Sequence, residues 1–142
     1  MTAVLGVVAA LELERQWIAA PEPLCETSGV GADSAGAAAR RLVDRGATAL
    51  VSWGMAGGLD PGIDSGTVVL PKALIGPNGS PIGVDPEWHG RVLAKIRDLV
   101  EVSTSELLDV ARPITTVREK RELHRRTGAG AVDMESAAVA SV

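Results

Sequence analysis

The sequence predicts an α/β fold built on a largely parallel sheet. Val4 to Ala10 is a short, continuous apolar run, the pattern of a strand whose two faces are both covered. Thr48 to Ser52 and Gly66 to Leu70 read as further strands. Helical segments with start and stop signals alternate with these runs, and that alternation is the mark of an α/β layer fold.

The elements follow in order. After the first strand, Leu24 to Val30 reads as a weaker one. Asp33 precedes an alanine-rich stretch and is expected to cap a helix through Arg45, with Gly46 closing it. Asp60-Pro61-Gly62 and Pro77-Asn78-Gly79 are turn sequences. Asp85-Pro86 opens a helix to about Arg97, with Val92, Leu93 and Ile96 on one face, because proline is favoured at the first helical position. Glu106 to Val110 is a strand. Thr116-Val117-Arg118-Glu119 fits a capping box and opens a helix to about Arg126. Gly130 to Asp133 reads as a short strand or turn, and Met134 as the start of a final helix. No linker, repeat or low-complexity segment interrupts the chain, so residues 1–142 are expected to form one domain.

Composition narrows the function. A chain of 142 residues can bury about 68–70% of its unfolded surface without a staple. Cys25 is the only cysteine, which excludes an internal disulfide and a cysteine-based zinc site. His89 and His124 have no neighbouring ligand set, so no metal is expected, nor any cofactor. Fourteen basic against eighteen acidic residues give a net charge of −4, which argues against a general nucleic-acid binder. No apolar run approaches the ~18 residues of a membrane span. The apolar start has no basic flank and runs into Glu12 and Glu14, unlike a signal peptide, so a reducing cytoplasmic setting is expected. With no Phe or Tyr and only three tryptophans, the core must come from Val, Leu, Ile and Ala.

Ligands of open α/β sheets sit beyond the carboxyl ends of the strands. Three segments there carry suitable groups. Glu12 and Glu14 follow the first strand. They face the same way if the strand continues and diverge if a helix begins. One of them can serve as a base on water, or both can be solvated acids opening a helix. Ser52 to Leu59 includes Gly54, Met55, Ala56 and Gly57, and can bring backbone N–H groups close to a ligand or simply make a tight turn. Asp133-Met134-Glu135-Ser136 places two acids around a methionine. Carboxylates accept hydrogen bonds from vicinal sugar hydroxyls and a methionine packs on a sugar's apolar face, although helix-opening acids and a core methionine read the same way. Gly29-Val30-Gly31 lacks the dinucleotide spacing but could hold an anion at a helix N-terminus, with Asp33 opposing it. Arg112, Arg118, Lys120, Arg121, Arg125 and Arg126 form a solvated basic face.

Three stretches together resemble the nucleoside phosphorylase and nucleosidase superfamily. They are Gly6-Val-Val-Ala-Ala-Leu-Glu-Leu-Glu14, Ser52-Trp-Gly-Met-Ala-Gly-Gly-Leu-Asp-Pro-Gly-Ile-Asp-Ser-Gly-Thr-Val-Val-Leu-Pro71 and Gly128-Ala-Gly-Ala-Val-Asp-Met-Glu-Ser-Ala-Ala-Val-Ala140. The last two are similar to the branch called hopanoid-associated phosphorylases, and the whole to methylthioadenosine/S-adenosylhomocysteine nucleosidases. The resemblance implies a three-layer αβα sandwich around a mixed, mainly parallel sheet. It implies cleavage of a purine nucleoside through an oxocarbenium-like transition state, by water or phosphate, in a homo-oligomer. Glu14 matches the carboxylate that positions or deprotonates the attacking water, with Glu12 the weaker match. Met134 and Glu135 match the pair that holds the ribose, and Gly54 to Gly58 the loop beside the nucleophile.

Two departures bear on the chemistry. Family phosphorylases tend to carry Arg-x-Gly-Ser in the loop, where this chain has Ser52-Trp53-Gly54-Met55, which implies water as the nucleophile. The family continues past the Met-Glu helix into a strand, an Arg, and an Asp or Asn that serves the leaving base. This sequence stops at Val142, so a member lacking that C-terminal strand and helix is expected. The stretch between Trp17 and Leu24 also reads as shortened.

Overall fold

The structure, a computed structural model, describes residues 2–19 and 24–142. The shortened stretch after Trp17 falls largely outside them. In chain order the elements begin with β1 (Leu5–Ala9), α1 (Glu12–Arg15), β2 (Leu24–Thr27), α2 (Ala32–Asp44), β3 (Ala49–Trp53), β4 (Gly57–Gly58) and β5 (Val68–Val69). They continue with β6 (Ala73–Ile75), β7 (Pro81–Gly83), α3 (Pro86–Ile96), β8 (Val102–Ser103), β9 (Leu107–Asp109), α4 (Val117–Thr127), β10 (Ala131–Asp133) and α5 (Ser136–Ala140). This is the expected α/β class, and among the described residues five of the seven strand pairings are parallel. Among the described residues no helix is long and apolar enough to cross a membrane.

The chain resolves into two compact units. The first comprises Met1–Met55 and Met134–Val142. Its sheet runs β2-β1-β3, all parallel, with β1 central and Ala9 opposite Thr27 on one side and Trp53 on the other. The first and second clear apolar runs of the sequence are thus hydrogen-bonded neighbours. Ala35, Ala38, Ala39 and Leu42 share one face of α2 at helical spacing and pack with Val8, Ala47 and Val139. The expected core of small and branched aliphatics is realised here. Gly6 lets that helix seat closely, since a Cβ there would lie 3.0 Å from the Ala47 Cβ and 3.2 Å from the Leu42 Cβ.

The strand read over Leu24 to Val30 ends at Thr27, and two helix starts differ from the sequence reading. Asp33 does not cap α2. The chain turns through Gly29 (φ 81°) and Gly31 (φ 107°), a backbone that side chains resist, and Gly31 becomes the N-cap two residues early. The final helix begins at Ser136 and not at Met134, because Glu135 occupies its N-cap position outside helical geometry.

The second unit spans Ala56–Asp133. Its main sheet runs β4-β10-β9-β6-β7, and β5 pairs with β8 separately. Leu59, Leu108, Ala129 and Val132 form one core cluster, and Leu74, Leu107 and Ala131 another. The Asp85 side chain caps α3 by accepting from the Trp88 N–H at 2.7 Å. Thr116 caps α4 through the Glu119 N–H at 3.2 Å, but the Glu119 carboxylate pairs with Arg112 instead of folding back, so only half of the capping box forms. The strand read over Gly66 to Leu70 shortens to Val68–Val69, and β4, β6, β7 and β8 are additions to the sequence reading.

Candidate active site

The strand order β2-β1-β3 creates a switch point. The chain leaves β1 to one side to form β2 and returns to the other side for β3. The loops after β1 and β3 therefore part at the carboxyl edge of the sheet, where ligands of such sheets bind. Glu14 follows β1; Gly54 and Met55 follow β3.

A helix begins at Glu12, and the two glutamates diverge. The Glu12 side chain is exposed, accepts from the Thr27 hydroxyl at 2.9 Å and lies 3.9 Å from Arg15. Glu14 is buried, with 9% of its surface accessible. At the third helical position its carboxylate folds back over the open end of α1, where N–H groups lack helical partners. Oε2 accepts from the Leu11 N–H at 3.0 Å and the Ala10 N–H at 3.1 Å. A local cap explains those two bonds. The third bond is not local: Oε1 accepts from the Met55 N–H at 3.1 Å, across 41 residues. A carboxylate offers about four lone-pair sites, so roughly one remains for a water or a ligand.

Gly54 is the residue that allows this approach. A Cβ there would stand 2.7 Å from Glu14 Oε1 and 2.9 Å from its Cδ. Trp53 completes the arrangement, its indole Nε1–H donating to the Glu14 backbone carbonyl at 3.1 Å. Nothing in the sequence marked Trp53 for that role, because the direction of an indole at a strand end has no local signature.

Glu135 lies at the same sheet edge. Its Oε1 accepts from the Gly31 N–H at 2.9 Å, at the N-terminus of α2, and its Oε2 from the Met134 N–H at 3.1 Å. The glycine turn does hold an anion, and the anion is the protein's own carboxylate, favoured there by the helix dipole. The turn is fastened to the sheet by Ser28 N–H to Ala9 O at 2.8 Å and Gly29 N–H to Ala10 O at 3.0 Å. The carboxyl end of β1 therefore serves both glutamates: Ala10 donates to Glu14 and accepts from the turn that anchors Glu135. The Ser136 hydroxyl also reaches that of Ser52, at the end of β3, at 3.0 Å. Glu135 is half-buried, and each of its oxygens keeps a free lone-pair direction. No local signal marks the contact of Gly31 with Glu135, since 104 residues separate them.

Of the remaining candidates, Ala56, Gly57 and Asp133 belong to the second unit. There Gly57 pairs with Val132, and the Asp133 carbonyl accepts from the Val110 N–H at 2.9 Å. Among the described residues no group of three or more His, Cys, Asp and Glu is placed to hold a metal.

The sequence profile of the phosphorylase superfamily matches residues 7–142, and the chain belongs to that superfamily. No curated protein sequence matches it. Several solved structures do. A 5′-methylthioadenosine/S-adenosylhomocysteine nucleosidase of Neisseria meningitidis, in complex with methylthio-immucillin-A, superposes with a TM-score of 0.82 at 20% identity, over 96% of this chain and 78% of that one. An S-adenosylhomocysteine nucleosidase of Streptococcus pyogenes, in complex with 5-methylthiotubericidin, gives 0.85 at 17% identity, over 99% and 77%. A futalosine hydrolase mutant of Helicobacter pylori gives 0.83 at 14% identity, over 99% and 79%. At these identities the likeness is one of fold.

Proposed function

We propose that this member of the phosphorylase superfamily cleaves the N-glycosidic bond of an adenosine-type purine nucleoside, with water as the nucleophile. The observation that carries the reading is the Glu14 carboxylate, buried at the β1/β3 switch point and gripped by N–H groups from both sides of it. A carboxylate so fixed needs no reorganisation to accept a proton from a water aimed at the anomeric carbon. As the glycosidic bond breaks, the ribose gains oxocarbenium character, and a fixed negative charge beside it lowers that barrier. Water adds to the anomeric carbon and its proton passes to Glu14; the departing base takes up one proton from solvent and Glu14 returns its own to solvent, so that adenine and free ribose result.

Glu135 accepts hydrogen bonds from the vicinal ribose hydroxyls with the lone pairs that Gly31 and Met134 leave free. Met134 packs on the apolar face of the sugar. Water is favoured over phosphate because Trp53, Gly54 and Met55 bring neither a guanidinium nor a hydroxyl to the loop. The nucleosidase and hydrolase names of proteins with this fold support the same reaction class.

The test is product analysis. Adenosine incubated with the protein should give adenine and free ribose at a rate that phosphate does not change. Formation of ribose 1-phosphate, with a rate that rises with phosphate, would make the chain a phosphorylase. Binding with no release of base would make it a nucleoside-binding protein.

A further inference from the structure

We infer that Trp53 is a positioning residue for Glu14, an inference that rests on the reading of Glu14 as the base. α1 is a single turn of four residues, in which Glu12, Leu13 and Arg15 are exposed and only Glu14 is buried. One turn has too few internal hydrogen bonds to hold its own geometry. The direction of the Glu14 carboxylate therefore depends on what grips the turn from outside.

The end of β3 supplies that grip at two points. Trp53 holds the backbone of Glu14 through the indole N–H at 3.1 Å, and Met55 holds its side chain through the backbone N–H at 3.1 Å. Gly54, between them, has no side chain where one would strike the carboxylate. The same Glu14 carbonyl also receives the Trp17 N–H, just past the turn, at a long 3.4 Å, so the indole is the shorter bond. Trp53 is also half-exposed, at 47%, more than filling a core would require. Its indole N–H contributes to the direction of a proton acceptor.

Trp53→Phe keeps a ring and removes the donor. Wild type, Trp53→Phe and the control Trp88→Phe would be compared by steady-state adenine release from adenosine, by calorimetric adenosine binding and by thermal melting. Losing one hydrogen bond that sets geometry should lower kcat about 3- to 10-fold. KM and the adenosine affinity should stay within about twofold, and Trp88→Phe should match wild type. An unchanged kcat overturns the inference. So does a fall in kcat accompanied by weaker binding and a lower Tm, which would mark general loosening. A wild type that releases no base defeats the hydrolase reading itself, and this inference with it. Should Trp53→Phe fail to fold, benzothienylalanine placed at position 53 keeps the indole shape without the N–H and is read by the same criteria.

Discussion

Gly54 and Glu135 show how much of the site rests on single atoms. At Gly54 the space for a methyl group is already taken by the Glu14 carboxylate, 2.7 Å from where the Cβ would stand. The carboxylate cannot give way freely, because Ala10, Leu11 and Met55 hold it. Gly54→Ala should therefore cost about 1–3 kcal/mol of stability, the range for overpacking, and lower turnover by moving the base. Urea unfolding and adenine release measure the two effects, and wild-type values in both would show that the approach is looser than described. Glu135 carries a different load. If it holds the ribose as proposed, removing its carboxylate should delete charge-assisted hydrogen bonds worth roughly 1.5–3 kcal/mol, a factor of about 10–150 in ribose affinity. Calorimetry of Glu135→Ala with adenosine reads this directly, and an unchanged affinity would remove Glu135 from the ribose site.

Among the elements, α2 carries the most. Its alanine face and Leu42 pack with Val8 of β1 and Val139 of α5, and its N-terminus holds Glu135. Leu42 has no accessible surface, so Leu42→Ala should cost about 2–5 kcal/mol by chemical denaturation. The elements that the sequence made legible are those with a local cause. β1 is a continuous apolar run, β3 contains Ala49-Leu50-Val51, α3 has Asp85 with Pro86 to start it, and α4 opens on Thr116. The strands it did not reveal have none. β4 is two glycines, which have no side-chain pattern, β8 is two residues, and β6 and β7 are three each, too short for alternation to register. Their hydrogen bonds come from pairing: β4 with β10, β6 with β9 and β7, and β8 with β5. The site divides in the same way. The segments bearing Glu14, the Gly54 loop and Met134-Glu135 could be found from residue type and strand ends. Which glutamate turned inward depended on a helix starting at Glu12, and the Trp53 and Gly31 contacts join residues 39 and 104 positions apart.

For the molecule as a whole, the described ion pairs lie at the surface and should matter little. Arg125, hydrogen-bonded to Glu122, holds that carboxyl below its ordinary value of 4.5. A lowered carboxyl adds stability above the unfolded value that is lost as pH falls through the folded one. Because the pair lies on the exposed surface, acid melts should show no separate step from it, and Glu122→Gln should melt with wild type near neutral pH. Trp17, Leu13, Met55 and Leu99 are apolar side chains with more than half of their surface accessible. We propose that such surface is covered by self-association, which sedimentation at tens of micromolar would reveal as a mass above 14.6 kDa; a monomer would count against it. The central claim is that Glu14 is the base of a hydrolytic reaction, and its most direct measurement is adenine release by wild type and Glu14→Gln at equal adenosine occupancy. The account predicts that both bind adenosine and that the variant releases adenine at least about 100-fold more slowly, the lower range for losing a general base. Equal rates for the two proteins would contradict it.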